Sequence, residues 1–338
     1  MHNICQSNTT DQQRIWTTKM SFKEEILRYS RQDTMPPLSD WFSNLLSELI
    51  DSNIYADNNQ LEDIGKNLVN GIRAYGKKYN IDRVAIGMSG GVDSALTAAM
   101  FKQAGWSVLG VTMPIHQNPE ETDRGIAACT ALGIEHKQVD LTKMYDTVLS
   151  EFQKHDSTLK EKLQDLRRGN LRVRLRMMTI YNEASRIRGL VASTDNFSEL
   201  AAGFWTLHGD VGDLAPIQSL SKSWEVPRLS EMFGVPTETV FAKPTDGLGI
   251  STSDEAQFGF SYLEFDLILL KLCQAEGLFT RKDCLTYLDV PESDADHVNR
   301  ILDRIKMSTF KRSNPHNLLH PSQLNRYNGL NIIDTALW

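Results

Sequence analysis

The chain has 338 residues, 41% hydrophobic and 23% charged, with a formal net charge of −7. That composition excludes disorder over most of the length, and at about 150 residues per domain it suits one large or two smaller domains. The acidic balance excludes a protein that coats a nucleic-acid backbone through general positive charge.

Residues 1–35 read as a flexible arm with a short amphipathic helix beginning near Ser21. Residues 1–18 are polar and lack the apolar run of a secretory signal. Pro36 and Pro37 stop the first helix. Ser39 or Asp40 is placed to cap a second helix, with Trp41, Leu45, Leu46 and Leu49 at helical spacing. A third helix is expected from about Gln60 to Lys78, with apolar residues at 61, 64, 68, 72 and 75. Residues 36–79 are thus a set of N-terminal helices.

The period then changes. Short apolar runs at Arg83–Met88, Ser107–Thr112, Glu135–Val139 and Gly189–Ser193 read as buried strands. Helices are expected between them at Asp93–Ala104, Pro119–Leu132, Leu141–Lys154 and Arg167–Arg188. This alternation predicts an α/β fold, an open parallel sheet with helices on both faces. It spans residues 80–320, and residues 321–338 form a tail. No stretch approaches the about 18 apolar residues of a membrane span. Four scattered cysteines, none in a CxxC pair, argue against a zinc ribbon and for free thiols in a reducing, cytoplasmic setting. Cys129 falls in a predicted helix and reads as packing, and the pair His316 and His320 reads as solvated.

The strongest signal is the segment from Gly87 through Ser89, Gly90, Gly91 and Asp93 to Ser94. It lies between a predicted strand and a predicted helix, where open α/β sheets bind ligands. Glycines let the backbone approach an anion, and successive N–H groups at a helix start point into one concavity. Asp93 beside phosphate calls for a bridging divalent cation, and magnesium supplies it. Neither a Walker A loop nor GxGxxG is present. The segment resembles the pyrophosphate loop of the N-type ATP pyrophosphatases, which cleave ATP between the α- and β-phosphates and make an adenylated intermediate.

Downstream, Arg174 shares a predicted helix face with Leu171, Met178 and Tyr181, so a buried guanidinium seeking an anion is expected. Arg172 and Arg176 are assigned to the opposite, solvated side. Thr194, Asp195 and Glu199 follow the fourth strand: Thr194 or Asp195 is placed to cap a helix with Glu199 in its first turn, and Thr194 is equally placed to contact a nucleotide and Glu199 to be a second magnesium ligand. Asp210, Gly212 and Asp213 form an acceptor-rich loop, and Lys222 follows at an expected helix start.

In this order the segments resemble ammonia-dependent NAD synthetase, over roughly Gln60 to Pro315 and including Lys243, Asp254, Glu255, Gly259–Tyr262, Lys311 and Arg312. The resemblance implies an adenine-nucleotide α-hydrolase-like, Rossmann-like fold. It implies a cytoplasmic homodimer that amidates nicotinate adenine dinucleotide, bound across the subunit interface, with ATP, magnesium and ammonia. ATP contacts would come from the 87–94 loop, Thr194, Lys222 and Thr245, and magnesium contacts from Asp93 and Glu199. Arg174, Asp213 and Lys311 would contact the dinucleotide. Asp93 and Lys222 would be catalytic, and Asp210 and Asp213 are candidates to take a proton from ammonium. No nucleic acid or membrane is expected as a partner.

The chain departs from that pattern at several positions. Asn196 stands where the family usually has histidine, Leu207 where it has lysine, and Phe310 precedes Lys311 where histidine is common. The acceptor loop is one residue shorter. These changes spare the ATP half. They leave three readings: NAD synthetase chemistry, the same chemistry on nicotinate mononucleotide or another carboxylate, or a silent nucleotide-binding homologue. About 85 residues before the loop are too few for a glutaminase domain, so free ammonia or a separate partner is expected.

Overall fold

The computed structural model describes residues 20–30, 36–160, 164–243, 253–277 and 280–312. Three helices lead in: α1 (Phe22–Ser30), α2 (Asp40–Asp51) and α3 (Asn58–Tyr79). Ser39 caps α2 by accepting from the Phe42 amide at 3.3 Å, and Asp57 and Gln60 close a capping box at the start of α3.

Alternation follows: β1 (Arg83–Gly87), α4 (Val92–Gln103), β2 (Ser107–Thr112), α5 (Pro119–Leu132), β3 (Glu135–Gln138), α6 (Thr142–His155), α7 (Asp165–Ile187) and β4 (Leu190–Val191). The four strands form a parallel sheet in the order β3-β2-β1-β4, with Val84 opposite Val108 and Leu190. Strand side chains alternate between faces. Val84, Ile86 and Val108 enter one core; Ala85, Leu109 and Val111 enter the other. The second core is closed by Leu141 and Tyr145 near the start of α6 and by Leu175, Ile180 and Ala184 of α7. The parallel α/β architecture expected from the sequence is therefore present.

The remainder is helical: α8 (Phe197–Ala202), α9 (Glu225–Met232), α10 (Thr237–Val240), α11 (Asp254–Phe258), α12 (Tyr262–Cys273), α13 (Arg281–Leu288) and α14 (Glu292–Met307). The larger core joins these to the N-terminal helices. α4 is buried nearly all round, as a helix wedged between a sheet and other helices must be. Trp224 is fully buried, donates to the Ala56 carbonyl at 2.8 Å and meets the ring edges of Phe22 and Tyr29. Each such large side chain is worth about 1.5–3 kcal/mol of burial, which is what fastens α1 to the body.

Two local expectations change. β4 is two residues long rather than five. Beyond Val191 the backbone trades β1 for the 214 segment: the Ala192 amide still bonds Ala85, but the Ser193 amide bonds Leu214. Lys222 lies in a turn three residues ahead of α9 rather than on a helix start. Cys129 is buried in α5, where burial pushes its thiol up to about 11. Residues 1–19, the 321–338 tail, Thr245 and the pair His316 and His320 lie outside the described residues.

Candidate active site

The glycine segment leaves β1 at Gly87 and enters α4 at Val92. Gly90 takes φ +87°, and a Cβ there would sit 2.1 Å from the Glu121 carbonyl oxygen, so only glycine fits. Arg124 Nε donates to the Gly90 carbonyl at 3.3 Å, pinning the loop to α5. Ser89 Oγ accepts from the Gly91 amide at 3.2 Å, and Ser94 Oγ donates to the Gly91 carbonyl at 3.0 Å. No side chain caps α4, so the helix presents its first amides and partial positive charge toward the loop.

Asp93, in the first turn of α4, pairs with Lys222 through Oδ2. Glu199, in the first turn of α8, reaches the same Lys222 Nζ with Oε1 at 3.3 Å. Lys222 is held from below: its amide donates to Ser198 Oγ at 2.9 Å, and Ser198 donates to the buried Asp266 of α12 at 2.5 Å. Its ammonium also lies 5.7 Å over the Tyr262 ring. Buried Asp254 and Glu255 stand beside this group; Tyr262 donates to Asp254 at 3.3 Å through its hydroxyl and to Glu255 at 2.8 Å through its amide.

Negative charge exceeds positive here, and the carboxyl groups are shifted accordingly. Burial pushes Glu199 up to about 8, Lys222 pulls it down, and neighbouring carboxylates add to the rise. Burial alone would lower Lys222, but Asp93 and Glu199 raise it well above its ordinary value, so it stays charged. Glu255 is pushed up to about 7 by burial and by Glu264 and Asp254.

These groups open into a cavity of about 610 Å³. Of the residues singled out from the sequence, Ser89, Gly91, Asp93, Ser94, Thr194, Glu199, Asp210, Lys222, Arg174 and Lys311 line it. Gly87 ends β1, and Gly90 is tucked against α5; both shape the loop from behind. Asp213 is not part of the lining. Its carboxylate accepts from the Tyr181 hydroxyl at 2.7 Å and from the Val191 amide at 2.9 Å, which fastens β4 to α7. Asp210 keeps solvent access along the cavity, yet desolvation pushes it up to about 7. Lys311 donates to the carbonyls of Gly203 at 2.7 Å and Trp205 at 2.5 Å, and lies over the Trp205 ring.

The arginine assignment on α7 is reversed. Arg174 is exposed at the cavity rim, with Nε on the Leu207 carbonyl at 3.3 Å. Arg176 is the enclosed one: it donates to the Met113 carbonyl at 3.0 Å and to Gln117 at 3.2 Å. Burial and the neighbouring Arg172 lower it to about 10. The polar-looking face of α7 meets the carboxyl end of β2, while Met178 and Tyr181 stay exposed. The cap of α8 is Asn196, not Thr194 or Asp195. Sequence reasoning also missed Tyr29 and Ser30, which reach the cavity wall from α1. Asp254 and Glu255 were visible as an acidic pair but carried no assigned role.

A parallel α/β sheet with an anion-binding glycine loop at a strand's carboxyl end, facing paired acids on one lysine, defines a nucleotide-binding protein built for polyphosphate. A family model described as NAD synthase matches residues 64–315. The chain belongs to that family. An NH(3)-dependent NAD(+) synthetase from Methanosarcina acetivorans is 33% identical over 249 residues, covering 72% of this chain and 93% of its own. A protein of the same description from Mycoplasmopsis pulmonis is 37% identical over 221 residues, covering 64% and 82%. Among solved structures, NMN synthetase from Francisella tularensis matches with a TM-score of 0.61 at 25% identity, covering 77% of this chain and 98% of its own. NH3-dependent NAD synthetase from Campylobacter jejuni, in complex with nitrate, matches with a TM-score of 0.59 at 25% identity, covering 77% and 99%.

Proposed function

We propose that this chain uses ATP and ammonia to amidate the carboxylate of nicotinate adenine dinucleotide, giving NAD, AMP and pyrophosphate. The observation that carries this reading is the convergence of Asp93 Oδ2 and Glu199 Oε1 on Lys222 Nζ beside the glycine loop. In the proposed sequence a substrate carboxylate oxygen attacks the α-phosphorus. The bond to the β-phosphate oxygen breaks and pyrophosphate departs, its charge met by the loop amides and Lys222. Ammonia then attacks the acyl carbon and AMP leaves. Asp210, pushed up to about 7 within the cavity, is suited to take the proton from ammonium. Asp213 is occupied in holding β4 and has no part in this scheme.

Magnesium fits the residues present. Asp93 and Glu199 offer two hard oxygens at one point, and a cation shared with polyphosphate takes its remaining ligands from phosphate and water. Among the described residues no group of three or more His, Cys, Asp or Glu forms a metal cage, and such a shared site needs none. When bound, magnesium would neutralise charge on the phosphates. ATP contacts from Thr194 and Thr245, and acceptor contacts from Arg174 and Lys311, belong to the same proposal.

A second acceptor, nicotinate mononucleotide, is favoured by the likeness to a solved NMN synthetase and by Leu207 where a lysine was expected. Pyrophosphate release with ATP, magnesium and ammonium chloride decides between them. The leading reading expects release with the dinucleotide and a drop of at least 10³-fold in Asp93→Ala, the scale of losing a main electrostatic element of catalysis. Release with the mononucleotide alone would replace it by the second reading.

We further propose a homodimer. α6 and α7 pack on one another, and each leaves large apolar side chains exposed, Met144 and Phe152 on α6 and Met178 and Tyr181 on α7, as surfaces that meet a partner do. No helix among the described residues is long and apolar enough to cross a membrane.

A further inference from the structure

Asn196 is fully buried between the two acidic residues that face Lys222. Its Oδ1 accepts from the Glu199 amide at 3.0 Å, and its Nδ2 donates to Asp93 Oδ1 at 2.9 Å. Glu199 Oε2 returns to the Asn196 amide at 3.4 Å. Each carboxylate thus gives one oxygen to Asn196, and the other two oxygens, Asp93 Oδ2 and Glu199 Oε1, are the pair that meet on Lys222. The amide orientation follows from its partners, since only nitrogen can donate to a carboxylate and only oxygen can accept from a backbone amide.

We propose that Asn196 is a positioning residue: it fixes the rotation of both carboxylates so that one oxygen of each points into the phosphate cavity. The inference rests on the functional reading above only as far as ATP and magnesium. A short forked amide is what the task demands. Aspartate would offer two acceptors and no donor, serine stops one bond short of Asp93, and alanine loses the cap as well. The link also couples α4 to α8: the side chain of Asn196 aims Asp93 across 103 positions of sequence, while its backbone amide holds Glu199 in the same capping box.

The test separates capping from aiming. Asn196→Ser keeps a good helix cap, so its melting temperature should stay within about 2 °C of wild type, whereas Asn196→Asp keeps the cap but adds a buried carboxylate against Asp93 and should melt lower. ATP affinity is measured by calorimetry on the full chain, with magnesium and with magnesium chelated. Both variants should lose at least tenfold in affinity with magnesium, Asn196→Asp the more. The loss in Asn196→Ser without magnesium should be under threefold. Asn196→His, which restores a ring donor, should recover part of the loss. Wild-type affinity within threefold in Asn196→Ser and Asn196→Asp, or equal loss with and without magnesium, would overturn the proposal. A wild-type chain that binds ATP with magnesium but releases no pyrophosphate with either nicotinate nucleotide would sink the amidation reading and leave this test standing. A wild-type chain that binds no ATP would overturn both.

Discussion

Glu255 must ionise where little water reaches and where Glu264 and Asp254 oppose it, so its carboxyl is pushed up to about 7. Folding therefore favours its neutral form. The stability this gives is fully present below the unfolded carboxyl range near 4.3 and is lost as pH rises through about 7. Glu255→Gln keeps the acceptor for the Tyr262 amide and removes the titration. Relative to that variant, the wild-type melting temperature should fall between pH 5 and 8.5; parallel curves would show that the carboxyl does not titrate within the fold. At this scale the sequence was uneven as a guide. The loop from Ser89 to Ser94 was legible because its glycines and acid have few other uses together. The two arginines were not, because helical spacing gives relative faces and not which face meets the sheet: Leu171, Met178 and Tyr181 look like a core stripe beside Arg174, yet Met178 and Tyr181 are exposed.

Among the elements, α7 connects the most functions. Val173 and Arg174 reach the cavity, Leu175 and Ile180 enter the core, and Arg176 ties the backbone after β2 through Met113 and Gln117. That backbone leads into α5, whose Glu121 and Arg124 hold Gly90 in place. Arg176→Leu removes a buried charge but also the donors to Met113 and Gln117, so stability should fall by about 1–3 kcal/mol. ATP affinity should also fall several-fold, because the support for the loop is gone. A large drop in melting temperature with unchanged affinity would assign Arg176 to stability alone. The element order was legible from the change of hydrophobic period, and the strand starts at Arg83, Ser107 and Glu135 coincide with the structure. The end of β4 was not, because the apolar run through Ala192 continues while its partner changes from Ala85 to Leu214.

For the whole molecule, the exposed side chains of α6 and α7 set the expectation of a dimer. Met178→Glu places a charge among them at a residue already 56% exposed in the single chain, so folding should be unaffected. Light scattering should then give the mass of one 38.2 kDa chain for the variant and twice that for wild type. A monomeric wild type would remove the dimer proposal. The N-terminal helices pack into the larger core, and α1 supplies part of the cavity wall, although residues 20–63 precede the span matched by the family model. Sequence spacing showed these helices but not their docking, since a contact such as Tyr29 with Phe241 joins segments about 210 positions apart.

Lys222 makes the unliganded site self-sufficient. Its ammonium already sits against both carboxylates, so loading is an exchange of one resident cation for another. The protein should therefore store without divalent ions: exhaustive chelation should leave the melting temperature unchanged while abolishing turnover, and re-addition of magnesium should restore it without refolding. Proteins whose acidic sites lack such an internal counter-ion pay for demetallation in stability; here the lysine stands guard until polyphosphate arrives to receive it.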